Sequence, residues 1–226
     1  VTRIAVVDYG AGNLVSIDQA LRAVGAEVSV VDRPAGFEQA DGLVVPGVGA
    51  AAPAMAELLD RGLVAPILAW IAAGRPLLGI CLGLQLLFES SEEDRAATLG
   101  VLPGRTRRLE RAPTLPHIGW NQVVRTRDHP LFAGIAPGAD FYFVHSYAGE
   151  LAPTADHAAL ATTEHGAAFT SAVANGRLAG VQFHPERSGT DGLRLLGNFV
   201  DLVHGGWGRS AGAGDVTAAG RAPVPA

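Results

Sequence analysis

Short apolar runs separated by helical patterns dominate the first 80 residues of this chain. The runs are RIAVV (3–7), EVSVV (27–31), GLVVP (42–46) and PLLGI (76–80). After the first run, apolar residues recur on one helical face at Leu14, Ile17, Leu21 and Val24. Residues 53–73 form a second helical pattern, interrupted by Gly62 and Pro66, before the last run. Continuous apolar strands that alternate with helices predict an α/β fold with a parallel sheet covered on both faces.

The second half of the chain has strand patterns with few helices between them. The strand-like segments are HIGWNQVVR (117–125), DFYFVHSYA (140–148), AALATTEH (158–165) and TSAVA (170–174). The dipeptide Asn175–Gly176 predicts a type I′ hairpin turn. The apolar periodicity of residues 191–204 predicts a final helix. We therefore expect a central, mostly parallel sheet flanked by helices, with an additional antiparallel or mixed strand region.

Composition limits the classes of function that this chain can have. The 226 residues, 48% of them hydrophobic, suit one domain, which we expect at 1–204, followed by a flexible Gly/Ala/Pro-rich tail at 205–226. A net charge of -5 gives no footprint for nucleic acid, and no apolar run reaches the ~18 residues of a membrane span. A single cysteine and the absence of a signal-like N-terminus favour a cytoplasmic setting. The chain has no lysine, which excludes a Schiff base, and we expect no cofactor and no metal ion.

The only cysteine, Cys81, lies at the predicted junction between a buried strand and a helix. Gly79 and Gly83 flank it at two positions on either side, the spacing of a nucleophile elbow with cysteine in place of serine. Small neighbours let a tight turn form and let a substrate approach. The N–H groups at the helix start, such as that of Leu82, favour a thiolate and can stabilise an oxyanion. A buried structural cysteine is the alternative, because free cysteine is among the most buried residue types.

His184 and Glu186 end the apolar segment GVQFHPE (180–186). Residues i and i+2 of an extended segment face the same way, and a proline keeps the residue before it extended. Glu186 is therefore predicted to accept a hydrogen bond from one nitrogen of His184, which leaves the other nitrogen free to act as a base. This is the arrangement of base and orienting group used in covalent catalysis. An ordinary histidine at a solvated strand end is the alternative.

The segment VVPGVGA (44–50) leads from a predicted strand into a glycine-rich loop, Pro46–Gly49. Ligands of open α/β sheets bind at the carboxyl ends of strands, where such a loop can present backbone N–H groups. A plain turn is the alternative for a loop rich in glycine and proline.

Taken together, GICLGLQ (79–85) and HPE (184–186) resemble the class I, or triad, glutamine amidotransferases. DYGAGN (8–13), PHIGWN (116–121) and YFVHSY (142–147) resemble, more narrowly, the HisH family of glutaminase subunits of imidazole glycerol phosphate synthase. The resemblance extends from about residue 3 to residue 204 and implies the flavodoxin-like fold of class I amidotransferases. The chain departs from the family pattern at Ala51, where Phe is common, and at Arg187, where Lys is common.

The resemblance implies a role for each matching residue. Cys81 attacks the side-chain amide of glutamine to form a γ-glutamyl thioester, His184 relays protons, and Glu186 orients His184. The implied oxyanion hole consists of backbone N–H groups of Leu82, Val48 and Gly49. The implied glutamine-binding residues are Gly49, Gln85, Glu93, Ser146 and Tyr147, with Glu92 as an alternative to Glu93. The residues expected to face a partner or an ammonia channel are Asn13, Trp120, Asn121 and Tyr142, with a core position as the alternative for Trp120 and Tyr142, because a Trp or Tyr in a strand is more often a core residue than an interface residue.

A partner is also implied by the resemblance. It is a (β/α)₈ cyclase subunit of the HisF type, which forms a heterodimer, accepts ammonia through a channel and makes imidazole glycerol phosphate and an aminoimidazole carboxamide ribotide in histidine biosynthesis. The phosphorylated substrate would bind the partner, which fits a chain without lysine or a Walker A motif. An amidotransferase subunit of another synthase, a non-catalytic binding module and a stand-alone cysteine hydrolase are the alternatives.

Overall fold

The computed structural model describes residues 1–205. The strands are β1 (Arg3–Val7), β2 (Glu27–Val31), β3 (Gly42–Val45), β4 (Leu77–Ile80), β5 (Ser90–Ser91), β6 (Gly104–Arg108), β7 (His117–Gln122), β8 (Val124–Arg125), β9 (Asp140–His145), β10 (Tyr147–Leu151), β11 (Ala159–His165), β12 (Ala167–Asn175) and β13 (Leu178–Val181). The helices are α1 (Leu14–Ala23), α2 (Ala51–Asp60), α3 (Val64–Ala72), α4 (Leu82–Gln85) and α5 (Gly189–Gly205). None of these helices is both long enough and apolar enough to span a membrane.

A central sheet of eight strands organises the described part of the chain. Its order is β2-β1-β3-β4-β13-β12-β11-β8. The first five strands are mutually parallel, and the last three pair in antiparallel fashion. A smaller sheet, β10-β6-β5, and a two-stranded ribbon, β7-β9, complete the strands. The predicted α/β fold class, with its mostly parallel sheet and its mixed region, is confirmed.

Two apolar layers cover the central sheet, because its strands alternate their side chains between the two faces. Ile4 and Val6 of β1 pack in the layer that contains α1 and α5. Ala5 and Val7 of the same strand pack in the layer that contains α2 and α3. Both faces of β1 are therefore buried, which is why its sequence is a continuous apolar run rather than an alternating one.

Several local predictions differ in detail from the structure. The helical pattern of 53–73 is interrupted at Gly62, whose φ is +66°, as predicted, but it is not interrupted at Pro66, which lies in the first turn of α3. The loop between β12 and β13 consists of Gly176 and Arg177, and only Gly176 has a positive φ, so the hairpin is confirmed but the type I′ turn is wrong. Helix α5 extends to Gly205, the first residue of the predicted tail. The rest of that predicted tail, 206–226, lies outside the described residues.

Candidate active site

The three sequence motifs meet at one edge of the central sheet. Strands β3, β4 and β13 are adjacent and parallel, with Val45 opposite Gly79 and Val181 opposite Ile80. The Pro46–Gly49 loop follows β3, Cys81 follows β4, and the HPE segment follows β13 after two intervening residues. The crevice beyond the carboxyl ends of parallel strands is where open α/β sheets bind ligands.

Cys81 occupies a strained turn between β4 and α4. Its φ of 54° and ψ of -109° are unusual for a residue with a side chain, and it is 5% exposed. A Cβ atom at Gly79 would lie 2.7 Å from the carbonyl oxygen of Gly83, and one at Gly83 would collide with the carbonyl of Val45. Because these obstacles are backbone atoms, the turn requires glycine at both positions. The elbow geometry predicted from the spacing is thus present.

Helix α4 contributes less than the sequence suggested. It consists of a single turn, Leu82–Gln85, and is followed by turns rather than by further helix. A macrodipole needs several aligned peptide units, so one turn supplies little field at Cys81. Leu84 within this turn and Leu86, Leu87 and Phe88 after it are fully buried. This segment is therefore shaped by core packing rather than by an amphipathic helix.

His184 and Glu186 are coupled as the sequence predicted, although by a different backbone. His184 is extended, but Pro185–Arg187 forms one 3₁₀ turn, so Glu186 folds back onto the histidine instead of continuing the strand. The Nδ1–H of His184 donates to Oε1 of Glu186 over 2.8 Å. Their side chains are 7% and 2% exposed. The Nε2 atom of His184 is buried, and no side chain of residues 1–205, Cys81 included, meets hydrogen-bond geometry with it.

The environment of His184 favours its protonated form. Burial alone would lower the pKa of His184, but the neighbouring Cys81 and Glu186 side chains outweigh burial and raise the pKa from 6.5 to about 10. At neutral pH this histidine therefore holds a proton that it can pass to a departing group.

The Pro46–Gly49 loop approaches Cys81 with a carbonyl group rather than with a donor. The carbonyl of Gly47 accepts a hydrogen bond from the N–H of Leu82 over 3.4 Å. The inner end of the loop is fixed, because the Tyr9 hydroxyl donates to the carbonyl of Pro46 over 2.6 Å. At the outer end Val48 and Gly49 are exposed, and Gly49 has a φ of +92°. The N–H of Leu82, which is predicted to stabilise the oxyanion, is therefore already bonded to the carbonyl of Gly47.

Gln85 is buried beside the triad, and its two amide hydrogens are both used inside the protein. The Nε2 of Gln85 donates to the carbonyl of Tyr147 over 2.8 Å and to Oε1 of Gln182 over 3.1 Å. Only the Oε1 atom of Gln85 therefore remains for a ligand. The neighbouring Ser146 is engaged as well, since its carbonyl accepts from the N–H of Leu109.

The two candidate carboxylates for the substrate ammonium differ in their surroundings. Glu92 accepts from the N–H of Arg108 and lies 3.8 Å from the Arg107 guanidinium. Within residues 1–205, Glu93 has no ion pair, and burial together with the nearby Asp94 raises the pKa of its carboxyl. A carboxylate whose charge is not already paired is the better acceptor for a cation, which favours Glu93.

The residues predicted to face a partner do not form one surface. Trp120 of β7 is 57% exposed and stacks edge-on with the half-buried Tyr142 of β9. Asn121 points instead into the protein, where it donates to His117 and to the carbonyl of Glu164. Asn13 caps α1 through the N–H of Ser16 and lines a crevice with His184 and Glu186. The exposure of Trp120 excludes the alternative that it is a core residue.

Sequence reasoning missed three residues that support this site. Tyr9 holds the glycine-rich loop, and Gln182 donates from its Nε2 to the sulfur of Cys81 over 3.6 Å. Asp94 accepts a hydrogen bond from the N–H of Ala52, at the start of the helix that follows the loop. Each contact joins segments at least 37 residues apart, so no local pattern could reveal it.

The fold and the elbow, with its adjacent histidine and glutamate, define a class of protein. A profile of the family described as glutamine amidotransferase class-I matches residues 5–202. The chain belongs to the class-I glutamine amidotransferase family.

More specific similarity comes from individual relatives. The chain is 50% identical over 206 residues to the imidazole glycerol phosphate synthase subunit HisH of Microcystis aeruginosa, with 89% of this chain and 96% of the relative covered. It is 50% identical over 201 residues to the subunit of the same name from Moorella thermoacetica, covering 88% and 95%.

Solved structures resemble the fold. The structure of PurLQS from Thermotoga maritima superposes with a TM-score of 0.71 at 19% identity, covering 89% of this chain and 99% of that chain. A crystal structure of a glutamine amidotransferase gives a TM-score of 0.69 at 20% identity, covering 88% and 98%.

Proposed function

We propose that this chain is the glutaminase subunit of an imidazole glycerol phosphate synthase, a cytoplasmic enzyme of histidine biosynthesis. The observation that carries the proposal is the Cys81 elbow beside the coupled His184–Glu186 pair, at the ends of two neighbouring parallel strands. The family match supports glutamine as the substrate, and the similarity to HisH subunits over nearly 90% of the chain supports the assignment to this synthase.

The first half of the reaction releases ammonia. Before glutamine is attacked, Cys81 has transferred its thiol proton to Nε2 of His184, whose raised pKa keeps the proton there at neutral pH, and the sulfur then attacks the side-chain amide carbon of glutamine. The carbonyl electrons move onto oxygen, which forms a tetrahedral oxyanion. His184 then passes the proton to the departing nitrogen, the C–N bond breaks, and a γ-glutamyl thioester and ammonia result. Glu186 stabilises the imidazolium that exists between these two transfers.

The second half of the reaction regenerates the cysteine. His184, neutral after ammonia has left, takes a proton from water, which attacks the thioester carbon. The C–S bond breaks, its electron pair returns to sulfur, and glutamate leaves, which restores the pair formed by the sulfur and the protonated His184. Because one histidine serves both halves, its Nε2 atom has to remain free of a permanent protein partner, as it is among residues 1–205.

The glycine-rich loop regulates formation of the oxyanion hole. The carbonyl of Gly47 and the N–H of Val48 belong to one planar peptide, so a rotation of that peptide moves both groups together. Rotation withdraws the Gly47 carbonyl from the Leu82 N–H and brings the Val48 N–H toward Cys81. The N–H groups of Leu82 and Val48 thereby become oxyanion donors in one step, and the N–H of Gly49 completes the oxyanion hole. Each missing donor typically costs ~10²–10³ in rate. The isolated chain is therefore a poor glutaminase.

A (β/α)₈ cyclase subunit of the HisF type is the proposed partner. The names of the HisH relatives describe a subunit, so a second subunit is required to complete the synthase. The exposed apolar side chains Ile118 and Trp120 of β7, 60% and 57% exposed, offer a docking surface with Tyr142. The partner binds the phosphorylated substrate, receives the ammonia and favours the rotated loop. Gln85, Glu93, Ser146 and Tyr147 bind the glutamine.

The test is glutamate release from glutamine by the purified chain, alone and with the cyclase subunit and its phosphorylated ligand. We expect stimulation of at least about 10²-fold, the cost of one absent oxyanion donor. Cys81→Ala should abolish glutamine-dependent synthesis, while synthesis from free ammonia survives because that chemistry belongs to the partner. High activity in the isolated chain, unchanged by the partner, would refute the loop switch. Glutamine-dependent cyclisation by the complex with Cys81→Ala would refute the assignment of Cys81 as the nucleophile of the triad.

A further inference from the structure

Gln182 is a wholly buried polar residue that lies between the nucleophile and the glutamine-binding region. It follows β13 directly, and its side chain is 0% exposed. Its Nε2 donates to the sulfur of Cys81 over 3.6 Å, an ordinary distance for a hydrogen bond to sulfur. Among residues 1–205, Gln182 is the one side chain that donates a hydrogen bond to that sulfur. The mechanism described above does not use it.

The orientation of the Gln182 amide follows from counting donors. The Nε2 of Gln85 carries two hydrogens, and its two partners are the carbonyl of Tyr147 and the Oε1 of Gln182. The carbonyl of Tyr147 can only accept, so the Gln85 atom that faces it has to be the donor Nε2. The same Nε2 faces Gln182, so the Gln182 atom opposite it has to be the acceptor Oε1. The opposite atom, which faces Cys81, is therefore the N–H₂ group, and a reversed amide would leave two donors facing each other.

The support of Gln182 is itself rigid. The carbonyl of Tyr147 accepts a second hydrogen bond, from Nδ1–H of the buried His145. His145 in turn accepts at Nε2 from Nδ1–H of His117. A group held by successive buried hydrogen bonds is pre-organised, so it stabilises charge without having to reorient during the reaction.

We propose that Gln182 is a further catalytic residue, whose amide N–H donates a hydrogen bond to the Cys81 sulfur and stabilises it as a thiolate before attack and again when the thioester breaks. This role rests on the proposed glutaminase function. The thiol proton goes to His184 and the sulfur electron pair forms the bond to carbon. When that bond breaks, the pair returns to sulfur. Gln182 gains and loses no atom in either step.

The test is the rate at which Cys81 reacts with iodoacetamide in the complex with the cyclase subunit, followed by the mass of this chain. Cys81 is the only cysteine of the chain, so one adduct reports one site. Gln182→Met keeps a similar volume without a donor, and it should slow alkylation and glutaminase kcat by roughly tenfold to a hundredfold, as expected for one hydrogen bond to an ionised group. The KM for glutamine should change by less than about threefold, because the lost contact is with the sulfur.

Three further variants separate this role from simple packing. Gln182→Glu has the same shape but places a carboxylate beside the sulfur, so it should be slower than Gln182→Met. Gln85→Met removes the Gln85–Gln182 bond while it leaves the donor to sulfur, so alkylation should slow less than in Gln182→Met. Ser171→Ala removes a buried hydroxyl that has no hydrogen-bond partner within residues 1–205, on the strand next to Gln182, and this variant should alkylate like the wild type.

The outcomes are distinct. A folded Gln182→Met complex, judged by circular dichroism and by co-elution of the subunits, that alkylates at the wild-type rate would overturn the proposal. So would a Gln182→Glu variant that reacts as fast as the wild type, which is the decisive comparison where the Met variant does not fold. A wild-type complex that releases no glutamate would instead contradict the proposed function, and the alkylation rates would still decide the contact between Gln182 and Cys81.

Discussion

At the scale of single residues, Tyr9 connects the DYGAGN segment to the glycine-rich loop. Its ring is fully buried, and its hydroxyl donates to the Pro46 carbonyl over 2.6 Å. Burial, with Cys81 nearby, raises the pKa of Tyr9, so the hydroxyl keeps its proton and remains a donor. Removal of the hydroxyl leaves a buried carbonyl without this partner.

Tyr9→Phe is therefore expected to lower the free energy of unfolding by about 1–3 kcal/mol, the cost of an unsatisfied buried polar group. Urea denaturation measures this change. The control is Tyr142→Phe, because Tyr142 is half-buried and its hydroxyl makes no hydrogen bond among residues 1–205; this variant should stay within about 0.5 kcal/mol of the wild type. Equal effects of the two changes would contradict the anchoring of the loop by Tyr9.

Gly83 is the residue on which the elbow depends most directly. A Cβ there meets the backbone carbonyl of Val45, which cannot rotate away. Gly83→Ala should destabilise the chain by about 1–3 kcal/mol through overpacking and reduce partner-stimulated glutaminase activity at least tenfold, as it displaces Cys81. Gly197→Ala in α5, where the Cβ would lie 3.7 Å from Val24, should instead stabilise by about 0.5–1 kcal/mol. Thermal unfolding of both variants tests the contrast.

At the scale of whole elements, Asp94 supplies the cap that α2 lacks in its own sequence. The residue before α2 is Ala50, whose side chain cannot accept a hydrogen bond, and Asp94 accepts from the N–H of Ala52 instead. Helix α2 follows the Pro46–Gly49 loop directly, so this cap also holds the far end of the loop.

Asp94→Ala should cost about 0.5–2 kcal/mol, the usual range for loss of a helix cap. Asp60→Ala removes an exposed carboxylate from the other end of the same helix, where negative charge is unfavourable, and should be neutral or slightly stabilising. Chemical denaturation of the two variants distinguishes them. If they cost the same, the contact between Asp94 and Ala52 does not support α2.

The sequence predicted those elements whose cause is local. The apolar runs of β1 and β4 and the glycines around Cys81 reflect burial and turn geometry, which act on neighbouring residues. The 3₁₀ turn at Pro185–Arg187 and the single turn of α4 depend on packing against other strands, and their lengths were not predicted. Tyr9 and Gln182 act through contacts with distant segments, so their positions became apparent only in the folded chain.

At the scale of the whole molecule, a chain of buried and partly buried hydrogen bonds runs from the β7-β9 ribbon toward the triad. Asn121 donates to Nε2 of His117, His117 donates to His145, and His145 donates to the carbonyl of Tyr147. Each imidazole is used once as a donor and once as an acceptor, which requires that both rings be neutral. Burial lowers the pKa of His117 to about 4 and that of His145 to about 3.

These two histidines make the folded state sensitive to acid. Between pH 6.5 and about 4, these histidines bind protons in the unfolded chain but not in the folded chain. The contribution of the two histidines to stability is therefore complete above pH 6.5 and declines as the pH falls. His184, whose pKa is raised to about 10, acts oppositely: its contribution is complete below pH 6.5 and declines as the pH rises toward 10.

The free energy of unfolding should therefore fall between pH 6.5 and 5, by up to about 1.4 kcal/mol per pH unit for each such histidine. Urea denaturation at pH 7.0, 6.0 and 5.0 measures the slope. His145→Gln cannot take up a proton, so its slope should be shallower by up to that amount, whatever its stability at pH 7. His157→Gln, on an exposed turn, is the matched control and should keep the wild-type slope. An unchanged slope in His145→Gln would mean that acid acts elsewhere in the fold.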